Sequence, residues 1–177
     1  MNATQMMTYP AVNSNRLIHP SILTVLDALI VLLCQNSDDA YSAAGVLFNK
    51  ARSRAALGKL KAVFVGERPM PTLSEKLHMK APRGQHARGC RTVEIKRIIG
   101  SESKPKDFDA KFNPLRNQMK FRWMRIAELN MDDAALPAVD LFQVGDEYYV
   151  RDGHHRVSVA RTLGQEFIEA HVTVLDV

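Results

Sequence analysis

One stretch constrains this chain more than any other. Asp152-Gly153-His154-His155-Arg156 stands where a strand has to give way to a helix. Before it, Glu147-Tyr148-Tyr149-Val150 has the aromatic and β-branched residues that suit a pleated surface. After it, Val157 to Leu163 reads as a helix, and Gly164 as its C-terminal stop. Gly145-Asp146 predicts a two-residue turn joining the strand to an earlier one, Val139 to Val144. Glycine allows the backbone to turn sharply and a ligand to approach the main chain. Helix-start N–H groups and arginine both donate to phosphate oxygens, so the turn reads as a phosphate site. An Asp-Gly pair alone is an ordinary turn. Two consecutive histidines at a helix start serve no packing need, and they move the reading toward function.

The rest of the chain organises around that unit. Residues 1–15, rich in Asn, Ser, Thr and Met, read as a flexible terminus. Pro20 opens a helix in which Ile22, Val25, Leu26, Leu29, Ile30 and Leu33 recur at helical spacing. Asn36-Ser37-Asp38-Asp39 breaks it and caps a second helix, about Asp39 to Phe64, with Leu47, Phe48, Ala51, Ala55 and Leu60 on one face. Residues 16–65 thus read as a helical hairpin. Residues 66–89, with their prolines, glycines and bases, read as a basic linker carrying a short helix around Leu73 to Leu77. From Arg91 to Ile99 a strand is expected, then a polar stretch from Ser101 to Leu115, a helix from Phe121 to Leu129, and a last strand from Phe167 to Val174. Residues 90–177 therefore predict an α+β domain with a small mixed sheet.

Charge is uneven along the chain. Residues 50–104 carry 14 basic and four acidic side chains, a net of +10, whereas residues 1–49 have a net of −2 and residues 105–177 a net of −3. Such a block suits DNA or an acidic partner, through Lys50, Arg52, Arg54, Lys59, Lys61, Arg83 and Arg88; its plainer reading is a solvated linker. Cys34 and Cys90 match no zinc or redox spacing and fit a reducing cytoplasm. The apolar run Ile22 to Cys34 contains Asp27 and is too short to span a membrane. It is expected to pack within the protein, against a protein partner, or in self-association.

The segment Tyr149 to Arg156, followed by Val159-Ala160, Leu163-Gly164 and Ile168-Glu169-Ala170-His171-Val172, resembles the signature of the ParB/sulfiredoxin superfamily. A strand at Val93 to Ile98, Asp107-Phe108-Asp109, and Leu136-Pro137-Ala138-Val139 extend the resemblance over residues 90–177. It implies a nucleotide-binding domain whose Gly-x-x-Arg turn holds phosphates, with ATP or another NTP as ligand and Mg²⁺ beside it. Sulfiredoxin-like members place a catalytic cysteine where this chain has His154, which argues against sulfinic-acid chemistry. Partition proteins carry Glu-Arg where His154-His155 stand, and a helix-turn-helix domain follows in them. The Asp-Gly-His-His-Arg form is similar to free serine kinases and nuclease-like members. A helical segment ahead of a lone domain resembles plasmid fertility-inhibition proteins, which combine ATPase and DNase activity.

These observations predict roles. Arg156 is expected to grip a phosphate with two prongs, above the N–H groups that follow Gly153. His154 and His155 would move protons, and Asp152 would orient a histidine or hold Mg²⁺ through water. Glu102 or Asp107 would serve as a base, Asp107 and Asp109 as metal ligands, and Ser101 and Lys104 as further phosphate contacts. The leading expectation is NTP hydrolysis with DNA cleavage or binding. The alternatives are a small-molecule kinase using the same phosphate site, and a non-enzymatic regulatory module.

Overall fold

The computed structural model describes residues 37–65, 69–79 and 82–177. The expected first helix around Ile22–Leu33 and the terminal residues 1–15 lie outside them. Among the described residues four α-helices, α1 (Ser37–Val65), α2 (Leu73–Met79), α3 (Lys120–Met131) and α4 (His154–Thr162), accompany five strands: β1 (Gly84–Glu94), β2 (Ile98–Ser101), β3 (Val139–Val144), β4 (Glu147–Asp152) and β5 (Phe167–Asp176). The fold is α+β, and its sheet is mixed, in the order β1-β5-β3-β4-β2. β1 runs antiparallel to β5 and β4 antiparallel to β3, while β3 lies parallel to β5 and β2 parallel to β4.

Both faces of the sheet are covered along β3 and the Tyr148–Val150 part of β4, whereas β1 is exposed from Gly84 to Thr92 and β5 has exposed Glu169 and His171. On β3, Val139 and Leu141 join a core with Ile98, Val150, Val157 and Val172, while Phe142 and Val144 join Tyr149, Leu175 and Leu73 on the other side. This is the period-2 alternation of a strand buried on both faces. The second face is covered by α2. Thr72 and Glu75 close a reciprocal capping box at its start: Glu75 N donates to Thr72 Oγ1 (3.2 Å) and Thr72 N to Glu75 Oε2 (3.1 Å). The segment before α2 runs along the edge of β2, where Ser101 N donates to Pro71 O at 3.0 Å. Gly100 is obligatory there, because a β-carbon would strike the Pro71 carbonyl and the Tyr149 ring.

A further layer lies outside α4. Ala44, Leu47, Phe48 and Ala51 of α1 pack on Trp123, Met124 and Ala127 of α3 and on Val159 and Leu163 of α4. Trp123 meets Phe48 edge-on at 5.6 Å and donates its Nε1–H to Ser158 Oγ at 2.8 Å. Trp123 is fully buried.

Four expectations are corrected. Residues 84–89, read as linker, are strand, because Thr173 to Asp176 of β5 pair with Gly84 to Ala87 ahead of a bulge. The strand expected from Arg91 to Ile99 breaks at a 3₁₀ turn, Ile95–Arg97. Leu60 leaves the buried face of α1 and is 61% exposed, since it stands roughly 220° around the helix from Leu47. The helix expected from Val157 begins at His154.

Candidate functional site at the start of α4

The chain turns from β4 into α4 at Gly153, whose φ is 91°. That left-handed conformation is routine only for glycine. Space imposes the same choice: a β-carbon here would sit 2.5 Å from Val139 Cγ1. Val157 N donates to Gly153 O at 3.0 Å and starts the helical ladder, so the preceding N–H groups belong to the unpaired first turn.

His154 points into the protein and is only 2% exposed. Its Nε2 lies 2.7 Å from Ser101 Oγ. That oxygen already accepts from Ser103 N at 3.2 Å and Lys104 N at 2.9 Å, which fills both lone pairs. The serine must therefore donate its O–H to Nε2, and the histidine proton sits on Nδ1. Burial, followed by the nearby Lys104 charge, lowers the His154 pKa to about 4. At neutral pH His154 is an uncharged tie between the end of β2 and the start of α4.

His155 differs. Its ring meets Phe108 edge-on at 5.4 Å, whereas the His154 ring lies nearly parallel to Phe108 at 6.1 Å. The Nδ1 of His155 is buried without a hydrogen-bond partner among the described residues. Its pKa is also lowered to about 4, by burial first, then by Arg122 and Lys104, with Asp107 and Asp152 opposing. An unpartnered buried polar atom costs stability and asks for an explanation, a ligand among them.

Arg156 has partners within the protein. Its Nη1 donates to Ala138 O at 2.7 Å and to Pro137 O, and its Nη2 donates to Asp152 Oδ2 at 2.8 Å. Three guanidinium donor contacts are thus taken by the approach to β3 and by the Asp152 carboxylate. These carbonyls lie within reach of Arg156 in the first turn of α4.

The remaining expected residues divide. Ser101 is fully buried and bound to His154, while Lys104 is exposed and within the field of both histidines. Asp107 acts on both histidines but is 3.4 Å from Arg116 Nε. Asp109 Oδ1 accepts from Lys111 N (2.9 Å) and Asn113 N (2.8 Å), and its Oδ2 from Asn113 Nδ2 (2.9 Å), so it organises its own loop. Glu102 is exposed and is not among the charges acting on either histidine. Among the described residues no three His, Cys, Asp or Glu side chains gather as a metal site. The carboxylates named for Mg²⁺ do not fit a preformed cage: Asp107 faces Arg116, Asp109 is filled by its loop, and Asp152 is paired with Arg156.

Sequence reasoning missed Arg122 as a site residue. It belongs to α3, and only packing brings it beside His155; its place next to Trp123 was the one available signal. The basic block is dispersed. Lys50, Arg52, Arg54 and Lys59 lie on α1, where Arg52 Nη1 donates to Leu115 O at 3.3 Å. The side chain of Lys61 lies outside the described residues. Arg88 is on β1, Arg83 immediately precedes it, and β5 alongside carries Glu169 and Asp176.

No protein-family profile matches the chain, and no curated protein matches it. Among solved structures, the sulfiredoxin from Arabidopsis thaliana is similar at 14% identity and a TM-score of 0.36, covering 47% of this chain and 82% of that one. No helix among the described residues is long and apolar enough to cross a membrane.

Proposed function

We propose that the chain binds the phosphate groups of a nucleotide, ATP or another NTP, at the start of α4 and hydrolyses the terminal phosphoanhydride there. The observation that carries this reading is the unpartnered, buried Nδ1 of His155, beside a glycine-initiated helix start and the Lys104 and Arg122 charges. The helix start offers N–H donors and the positive end of a dipole. Lys104 and Arg122 would meet the phosphate charge, Arg122 being suited to two-pronged contact. A histidine with a pKa near 4 is neutral at pH 7, so His155 can accept a proton there as a weak base. In hydrolysis, water oxygen bonds to the terminal phosphorus, the bond to the bridging oxygen breaks, and His155 takes the water proton. Arg156 acts at one remove by holding Asp152 and the entry to β3.

A thermal-shift panel of ATP, GTP, CTP, ADP and inorganic phosphate tests the reading. Ligand at a hundred times its Kd adds about 2.7 kcal/mol, an upward shift of roughly 5–10 °C for a chain of this size. Lys104→Ala with Arg122→Ala should abolish the shift without changing the unliganded melting temperature. If no nucleotide shifts the wild type, or the double variant responds as the wild type does, the site assignment fails. Phosphate release without an added hydroxyl acceptor separates hydrolysis from small-molecule phosphorylation.

A further inference from the structure

A cleft of about 990 Å³ opens at the opposite end of α4. Arg54 to Lys59 of α1 form one wall, Gly164 to Phe167 another, and Met70, Ile95 and Phe108 line the space between. This volume is at the upper end of small-molecule sites, and the lining is mainly apolar, as such sites are. Leu57 and Phe167 are large apolar side chains exposed at 55% and 50%.

Most charges of the cleft are already engaged. Arg161 Nη2 donates to Ile95 O at 3.0 Å and to Ile98 O, and its guanidinium lies 4.9 Å from the Phe112 ring centre. Asp109 is taken up by its loop, Lys96 is 2.9 Å from Glu94, and Lys111 has interactions of its own. Arg54 and Lys59, both on the α1 wall, have no partner among the described residues. Across from them stands Glu166, an exposed carboxylate likewise without a side-chain partner among those residues.

We propose that this cleft binds a second ligand, an organic monoanion with an apolar body. Its single charge lies toward Arg54 and Lys59, its body covers Leu57 and Phe167, and Glu166 disfavours a second negative charge at the far end. Phe108 is shared: it lines the cleft and also stacks on His154 and meets His155 edge-on. The cleft and the start of α4 therefore have a common wall, although the proposal does not depend on nucleotide binding.

The aromatic sulfonate 8-anilinonaphthalene-1-sulfonate, titrated into the full chain by fluorescence, is the probe. One saturable site is expected, displaced by dodecanoate and much less by dodecyltrimethylammonium, both below their micellar concentrations. Arg54→Gln with Lys59→Gln should weaken binding about tenfold, and Leu57→Glu at least as much. Val46→Glu, an exposed change elsewhere on α1, should leave it unchanged. No saturable binding, equal displacement by the cationic amphiphile, or unaltered affinity in both cleft variants would overturn the proposal.

Discussion

The two ends of α4 use polarity in opposite ways. At the C-terminal end Arg161 is desolvated by burial, yet its guanidinium holds the Ile95 and Ile98 carbonyls and lies over Phe112. That end fixes the chain between β1 and β2, and its adjoining cleft has unused charge only on the surrounding walls. At the N-terminal end the first-turn N–H groups and His155 Nδ1 have unused hydrogen-bonding capacity, and the nearby cations come from elsewhere, Lys104 from a loop and Arg122 from α3. A helix of nine residues, about 13.5 Å long, thus joins a satisfied anchor to a cluster of unpartnered polar groups. Binding groups with unspent capacity need a rigid support, and the anchor supplies it.

The comparison is broken most severely at Gly153. Gly153→Val places a β-branched side chain at a φ of 91° and drives its β-carbon against Val139. The conformational cost and the overpacking together should remove about 3–5 kcal/mol, read from urea unfolding. A loss under about 1 kcal/mol would show that the turn relaxes and that the start of α4 is not rigidly built.

Acid should act on the N-terminal end alone. His154 has a folded pKa near 4, below its ordinary 6.5, so the unfolded chain binds the proton more readily. Its contribution is fully present above pH 6.5 and is lost as the pH falls toward 4, by up to about 3 kcal/mol. His155 adds loss in the same window, reduced by its partial exposure. Replacing His154 with Asn should flatten the pH dependence of the unfolding free energy across that interval. A curve as steep as that of the wild type would place the acid sensitivity elsewhere.

Much of the first end was legible in sequence and little of the second. Asp152 to Arg156 announced a strand–turn–helix unit because glycine, paired histidines and the flanking periodicities are local signals. Local signals also placed the β3–β4 turn and the long α1. For Arg156 the sequence showed chemistry that suits phosphate but not its contacts here, the Pro137 and Ala138 carbonyls, which are main-chain groups without any residue signature. Arg122 and Arg161 were missed for a related reason: each meets its site through packing between elements distant in sequence. Residues 84–89 read as linker because glycine and arginine mask strand propensity, which pairing with β5 overrides.

At the anchor, Arg161→Met preserves much of the aliphatic stem but leaves the Ile95 and Ile98 carbonyls without this donor. About 2–3 kcal/mol should be lost in urea unfolding, the cost of two part-buried acceptors and the contact with Phe112. Arg156→Met should cost less, about 1 kcal/mol, because its Pro137 bond and its Asp152 partner are exposed to solvent and only the Ala138 bond is part-buried. Equal losses would mean that the two arginines anchor the helix alike and that the ends differ only in their histidines.

The mildest change probes the helix stop. Gly164 has a φ of 72° and lies just past α4, with Gly164 N donating to Arg161 O at 3.1 Å and Gln165 N to Ala160 O at 2.9 Å. Gly164→Ala keeps those bonds and incurs only the left-handed penalty, about 1 kcal/mol. Because Gly164 also lines the cleft, the same variant reports on whether the cleft wall follows the helix end. If the wall is fixed by Arg161, the variant should lower the urea midpoint slightly while probe affinity stays within about twofold. A larger drop in affinity would transfer the anchoring role from the arginine to the glycine stop, because a wall held through Arg161 would not feel a strained residue beyond the helix.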